Sequence, residues 1–149
     1  MSTHLTSLVW ARGSAEFTYE TYSRDHQWTF GGGLVVTASA APEFKGNRAV
    51  PNPEEALVAA ISSCHMLTFL AICAKKGLVV ERYEDNAEGH LEKNAEGRLA
   101  ITRTTLRPKV TFQSGVEMNA EALTKLHASA HHGCFIANSV KTEITVSPV

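Results

Sequence analysis

The chain has 149 residues, 44% apolar and 19% charged, with a formal net charge of −1. That composition excludes a disordered or fibrous chain, and the balance of acids and bases leaves no electrostatic footprint for nucleic acid or an anionic membrane surface. Three cysteines make an odd, low count, unlike a disulfide-stapled secreted scaffold.

The length suits a single domain, residues 1–149, with a core of its own. The opening Met1-Ser2-Thr3-His4 has neither the basic nor the apolar region of a signal peptide. Free thiols without an export signal make the cytoplasm the expected compartment. Ala15, Phe17 and Tyr19 alternate with Glu16, Thr18 and Glu20, which predicts a strand. Arg24-Asp25-His26 reads as a polar corner. Trp28 and Phe30 alternate in a second strand, Gly31-Gly32-Gly33 turns, and Leu34 to Ala38 continues the sheet. Residues 41 to 51 read as a loop.

Asn52-Pro53-Glu54-Glu55 is a strong helix start, with an Asn cap, Pro in the first turn and acids at the positive end of the helix dipole. Lys75-Lys76-Gly77 is an equally strong stop. The predicted helix runs from Pro53 to Lys76, roughly 36 Å at 1.5 Å per residue. Its middle is apolar all round and interrupted only by small polar residues, so it reads as a buried central helix rather than a membrane span. Val79 to Glu92 and Arg98 to Phe112 are predicted strands flanking a hairpin turn, Asn94-Ala95-Glu96-Gly97. A second helix is expected from Asn119 to His132, with Gly133 as its stop. A short turn over Cys134 to Asn138 follows, and a closing strand over Lys141 to Ser147. Strands separated by isolated helices indicate an α+β fold with a largely antiparallel sheet.

Cys64 lies in mid-helix among Ser62, Ser63 and His65. Such small residues permit close helix packing, and a buried cysteine is most often a small hydrophobe, so packing and reactivity both stay open. Cys73 is nine residues on, roughly 13.5 Å along the helix, beyond the ~7 Å that a disulfide spans. It ends an apolar run and reads as core. Cys134 is distant in sequence, but a fold can bring it to Cys64, and in a reducing compartment such a pair suggests redox work. A mid-helix nucleophile gains nothing from the helix dipole, and adjacent His65 points about 100° away. An arginine from the strand region, oriented by a carboxylate, suits a thiolate and a peroxide oxygen better.

The run Asn52-Pro53-Glu54-Glu55, followed by Ala59-Ala60-Ile61-Ser62-Ser63-Cys64-His65, resembles the first-cysteine helix of the OsmC/Ohr family, the osmotically inducible and organic hydroperoxide resistance proteins. Cys134, leading into a C-terminal strand, and the order of elements extend the likeness over essentially the whole chain. The resemblance implies an intertwined α+β homodimer with a long central helix and a mostly antiparallel sheet. It implies thiol-dependent reduction of organic hydroperoxides, with Cys64 as the peroxidatic and Cys134 as the resolving cysteine. A dithiol, lipoyl-type in the Ohr branch, would regenerate both thiols, with no bound cofactor or metal. Arg24-Asp25 stands where the Ohr branch has an Arg-Asp step, whereas Arg48 lies where the OsmC branch places its arginine; Arg24 is favoured. Glu54 matches the family carboxylate after Asn-Pro. It precedes Cys64 by ten residues, about 15 Å of helix, so a composite site at the dimer interface is expected. Phe135 stands where both branches commonly have Pro, which marks a divergent branch, and Cys73 is an extra thiol.

Three rival readings stand beside this one. His127 and His131 have i, i+4 spacing, with His132 and Cys134 close behind, a pattern that can clamp zinc. Ala128 stands where a metalloprotease helix needs Glu, which argues against that type of hydrolysis. A dimer that only binds small apolar ligands would use the same apolar surroundings. A cysteine hydrolase would need a histidine held at Cys64, and no motif places one.

Overall fold

The structure, a computed structural model, describes residues 1–13 and 16–149. The chain forms two compact units, Met1–Ala56 and Leu57–Val149.

The first unit is a three-stranded antiparallel meander, β1 (Thr6–Val9), β2 (His26–Phe30) and β3 (Val35–Ala38). Leu8 pairs with Trp28, and Trp28 with Val36. The strand expected over residues 15–20 is not formed by its described part, and Ala15 lies outside the described residues. Tyr22 N–H donates to the Thr18 carbonyl at 3.0 Å, and Thr21 Oγ1 donates to the Glu16 carbonyl at 2.8 Å. Threonine hydroxyls satisfy this backbone locally. Phe17 and Tyr22 pack at tilted or edge-on angles against each other and against Trp10, at centroid distances of 5.3 to 6.3 Å. Phe17 therefore serves an aromatic cluster rather than a sheet face.

Helix α1 (Pro53–Lys75) starts as its sequence predicts and ends one residue earlier. Asn52 Oδ1 accepts the Glu55 N–H at 2.8 Å, and Glu55 Oε2 accepts the Asn52 N–H at 3.2 Å, a reciprocal capping box. Only one stripe of α1 is buried: Ile61, His65, Phe69 and Cys73, each four residues from the next. The helix is long and apolar enough to cross a membrane by length and composition, but this stripe packs against protein.

In the second unit, each of the two long predicted strands divides. The first becomes β4 (Val80–Asp85) and β5 (Glu88–Lys93); the second becomes β6 (Leu99–Leu106) and β7 (Pro108–Phe112). β4 pairs with β7 and β5 with β6, both antiparallel, around the expected Asn94–Gly97 turn, where Gly97 takes φ 77°. The division has a visible cause at Asp85. Its Oδ1 accepts the Arg107 N–H at 2.7 Å where β6 would run on into β7, and its Oδ2 accepts the Ser62 hydroxyl of α1 at 2.5 Å. β8 (Glu143–Val146) then adds to β6 in parallel. Helix α2 (Ala120–Gly133) is capped by Asn119, whose Oδ1 accepts the Ala122 N–H. Phe69 and Cys73 of α1 meet Leu126 and Ala130 of α2 in the core, flanked by Tyr83, Val110 and Phe112. Two helices and mostly antiparallel pairs make the fold α+β, as expected.

Candidate functional site

Cys64 stands on α1, half-buried, one position before the buried stripe. Cys134 caps the C-terminus of α2 and is almost fully buried. The turn after Cys134 closes over both sulfurs. Ile136 N–H donates to Cys64 Sγ at 3.5 Å, and Ala137 N–H donates to Cys134 Sγ at 3.4 Å. Burial pushes the Cys134 thiol above its ordinary range, and its hydrogen bond with Cys64 pushes it the same way. Residues 70 positions apart in sequence are thus brought thiol to thiol. Gly133 is part of this approach and does not stop the helix. A Cβ on it would stand 3.1 Å from Thr68 Cγ2, so its absence lets the end of α2 settle on α1. Cys73 lies in the core, where burial raises its pKa, in keeping with the structural role expected of it.

The polar group beside this pair is one the residue pattern left unrecognised. His65 Nε2 and His127 Nδ1 share a hydrogen bond of 3.0 Å, with their rings stacked at 5.3 Å and 9° apart. Both are almost fully buried. Burial is the main cause that lowers each pKa to about 4, reinforced at His65 by His131 and at His127 by His65. Tyr83, on β4, is pushed upward by burial and by Asp85. Of the i, i+4 pair His127 and His131, the first is turned to another partner. His127 spends its Nδ1 on His65, and among the described residues no group of three metal-ligating side chains converges. The signal was present in the sequence: Ile61, His65, Phe69 and Cys73 form an i+4 series, and a histidine on a core stripe needs a buried partner.

Arg24 and Glu54 belong to the first unit. Arg24 is buried; Nη1 and Nη2 donate to the carbonyls of Tyr22 and Tyr19, and its Cζ lies 3.7 Å from the Tyr22 ring centroid. Backbone carbonyls and an aromatic face hold this guanidinium, where a carboxylate was expected. Its Nε is buried without a hydrogen-bond partner, and so is Glu54 Oε2. Arg24 lines a cavity of about 520 Å³ with Leu8, Val9, Trp10, Phe17 and Tyr22. Arg48 is exposed.

Residues 45–148 match the family model described as OsmC-like protein. The chain belongs to the OsmC family. An OsmC-like protein of unknown function from Vibrio cholerae is similar to it at 45% identity and a TM-score of 0.96, over 100% of both chains. A structure from Legionella pneumophila, described as an organic hydroperoxide resistance protein OsmC, shares the fold at 17% identity and a TM-score of 0.73, over 99% of this chain and 96% of that one. An uncharacterised Bacillus subtilis protein, YmaD, is 25% identical over 114 residues, which is 76% of this chain and 75% of the relative. In this OsmC-family chain the cysteine pair and the histidine pair are built by the same two helices, α1 and α2.

Proposed function

We propose that this OsmC-family protein is a thiol peroxidase that reduces organic hydroperoxides. The observation that carries the reading is the meeting of Cys64 and Cys134, bonded thiol to thiol under the Ile136 and Ala137 N–H groups. Cys64, as its thiolate, attacks the outer peroxide oxygen. An S–O bond forms, the O–O bond breaks, and the alkoxide takes a proton and leaves as the alcohol. The Cys134 sulfur then attacks Cys64. An S–S bond forms, the S–O bond breaks, and water leaves with the Cys134 proton. A dithiol reductant of lipoyl type, the expected partner in the cytoplasm, restores both thiols by exchange. Two electrons pass from the dithiol to each hydroperoxide.

Arg24 is proposed to stabilise the thiolate and hold the peroxide oxygen, with Glu54 as its carboxylate. Each has one buried polar atom without a hydrogen-bond partner. A homodimer is part of the same proposal. Leu8, Leu34 and Leu67 are each at least 60% exposed, which is apolar surface a second copy would cover.

The test is consumption of cumene hydroperoxide with dihydrolipoamide as reductant, comparing the wild type with Cys64→Ser and Arg24→Ala. Turnover lost in Cys64→Ser and strongly slowed in Arg24→Ala is the expected result. A folded, reduced wild type without turnover sinks the peroxidase reading. A second reading, apolar-ligand binding without chemistry, is favoured by the aromatic cavity of the first unit. Ligand binding that survives Cys64→Ser, in a wild type without turnover, would establish it.

A further inference from the structure

The His65–His127 contact has no part in the peroxidase scheme, yet it joins the helices that carry the two cysteines. His65 follows Cys64 directly on α1. His127 precedes Cys134 by seven residues, about two helical turns, which places both on one side of α2. α2 is therefore fixed to α1 at two polar points, ring to ring and thiol to thiol. Beside these two points the helices meet through the apolar contacts of Phe69, Cys73, Leu126 and Ala130. Apolar contact is non-directional and tolerates sliding. A hydrogen bond of 3.0 Å between rings 9° from parallel fits one register alone. A slip of one turn, about 5.4 Å, would carry Cys134 out of reach of Cys64.

We infer that the His65–His127 hydrogen bond holds α2 in the register that seats the Cys134 thiol on Cys64, so that both histidines are positioning residues for disulfide closure. The inference rests on the thiol–disulfide reading above. The bond needs one ring to donate and the other to accept, which two neutral imidazoles satisfy and two protonated ones do not. The titratable groups facing the pair are Tyr83 and Asp85 of β4 and His131 of α2. The outer nitrogens, His65 Nδ1 and His127 Nε2, are buried without partners. The rings are thus held by each other and by Phe69, whose ring stacks on His127 at 4.4 Å.

The experiment uses full-length protein carrying Cys73→Ala, so that only Cys64 and Cys134 react. Treatment with one equivalent of 2,2′-dithiodipyridine releases one thiopyridone as Cys64 forms the mixed disulfide, and a second as Cys134 attacks the Cys64 sulfur, forming the internal disulfide and displacing the remaining pyridylthio group. The second release reports closure and requires no peroxidase chemistry. His127→Phe keeps the stack on Phe69 and removes the bond; His127→Asn returns an amide group near the Nδ1 position. At neutral pH, His127→Phe is expected to leave the first release unchanged and slow the second by about tenfold, the scale of one lost buried hydrogen bond. His127→Asn should recover much of that loss. The wild-type advantage over His127→Phe should vanish as the pH approaches about 4, where both rings charge.

Closure of His127→Phe at the wild-type rate overturns the inference. So does equal slowing in His127→Asn, or an advantage that is constant with pH. If His127→Phe does not fold, His65→Gln, which keeps a donor near the Nε2 position, takes the part of the conservative variant against His65→Leu. A parallel oxidation with cumene hydroperoxide separates the two claims. A wild type inert to the hydroperoxide but fast in the second release defeats the peroxidase proposal alone. A wild type that never gives a second release defeats the positioning role.

Discussion

Cys134 and Cys64 differ in the way two cooperating thiols need to differ. Cys134 is almost fully buried and its thiol pKa is raised, whereas Cys64 is half-buried and stands where a small oxidant can reach it. An oxidised Cys64 therefore has one neighbour able to capture it before further oxygen is added. Replacing that neighbour is expected to leave the first encounter intact and to remove its rescue. Cys134→Ser should consume about one equivalent of hydroperoxide per chain in forming the sulfenic acid, and a second only as that acid is over-oxidised. Intact-mass measurement should show Cys64 moving from sulfenic to sulfinic acid as oxidant rises, while the wild type accumulates an internal disulfide. Repeated turnover by Cys134→Ser with dithiol present would show that the reductant attacks the sulfenic acid directly.

Among the glycines of the second unit, Gly89 of β5 leaves the least room, against α1. A Cβ on Gly89 would lie 2.4 Å from Val58 Cγ2 and 3.5 Å from Ile101 Cγ2. Gly89→Ala should cost about 1–3 kcal/mol, the usual range for an overpacked core contact, read as a shift in the urea midpoint. Val58→Ala should recover part of that loss in the double variant, and no recovery would place the strain elsewhere. The elements themselves differ in how plainly the sequence announces them. α1, α2 and the Asn94–Gly97 turn carry their own signals: caps, charges at the helix ends and a glycine with positive φ. Their boundaries could be read to within a residue or so. The division of each long strand depends on Asp85 reaching Arg107 across 22 positions, and no local pattern encodes a partner that distant. The same limit explains Phe17, whose alternation with Ala15 and Tyr19 mimics a strand although its ring joins Trp10 and Tyr22. It also explains β1, whose four residues are all exposed in the chain and give no alternation to read. Of the site, Cys64 was legible through its motif, and Cys134 through its place after a helix. The histidine bond was legible only in half, since the core stripe marks His65 as needing a partner but the partner lies 62 positions away.

For the whole molecule, acid should be a specific weakness. His65 and His127 each hold a folded-state pKa near 4, below the ordinary value of 6.5. Between those limits the unfolded chain takes up protons that the folded chain refuses. Stability is therefore fully present above about pH 6.5 and is lost as the pH falls toward 4. Melting temperature should decline through that window, and His127→Phe should flatten the decline. An equal decline in both would assign the acid sensitivity to other groups. Assembly is a second property at this scale. Leu67 lies in the middle of α1 and is 60% exposed in the single chain. If α1 meets its copy in a homodimer, Leu67→Asp should give a monomer by light scattering, with helical circular dichroism largely kept. A wild type that is already monomeric would refute the assembly.

The nested hairpins of the second unit carry a kinetic meaning as well. β5 and β6 pair outward from the Asn94–Gly97 turn, and β4 and β7 pair around them, so Val80 meets Phe112 only after Lys93 has met Leu99. Each new pairing starts from ends the previous one has already drawn together, and its closure entropy is correspondingly small. β8 has no such help, for it must find β6 after α2 has been laid down. Folding should thus begin as a zipper at one turn and finish with a single long-range docking. Substitutions at Ile101 should slow refolding, while those at Ile144 should chiefly hasten unfolding. The reverse order of effects would mean that the parallel strand, which is last in sequence, is recruited early.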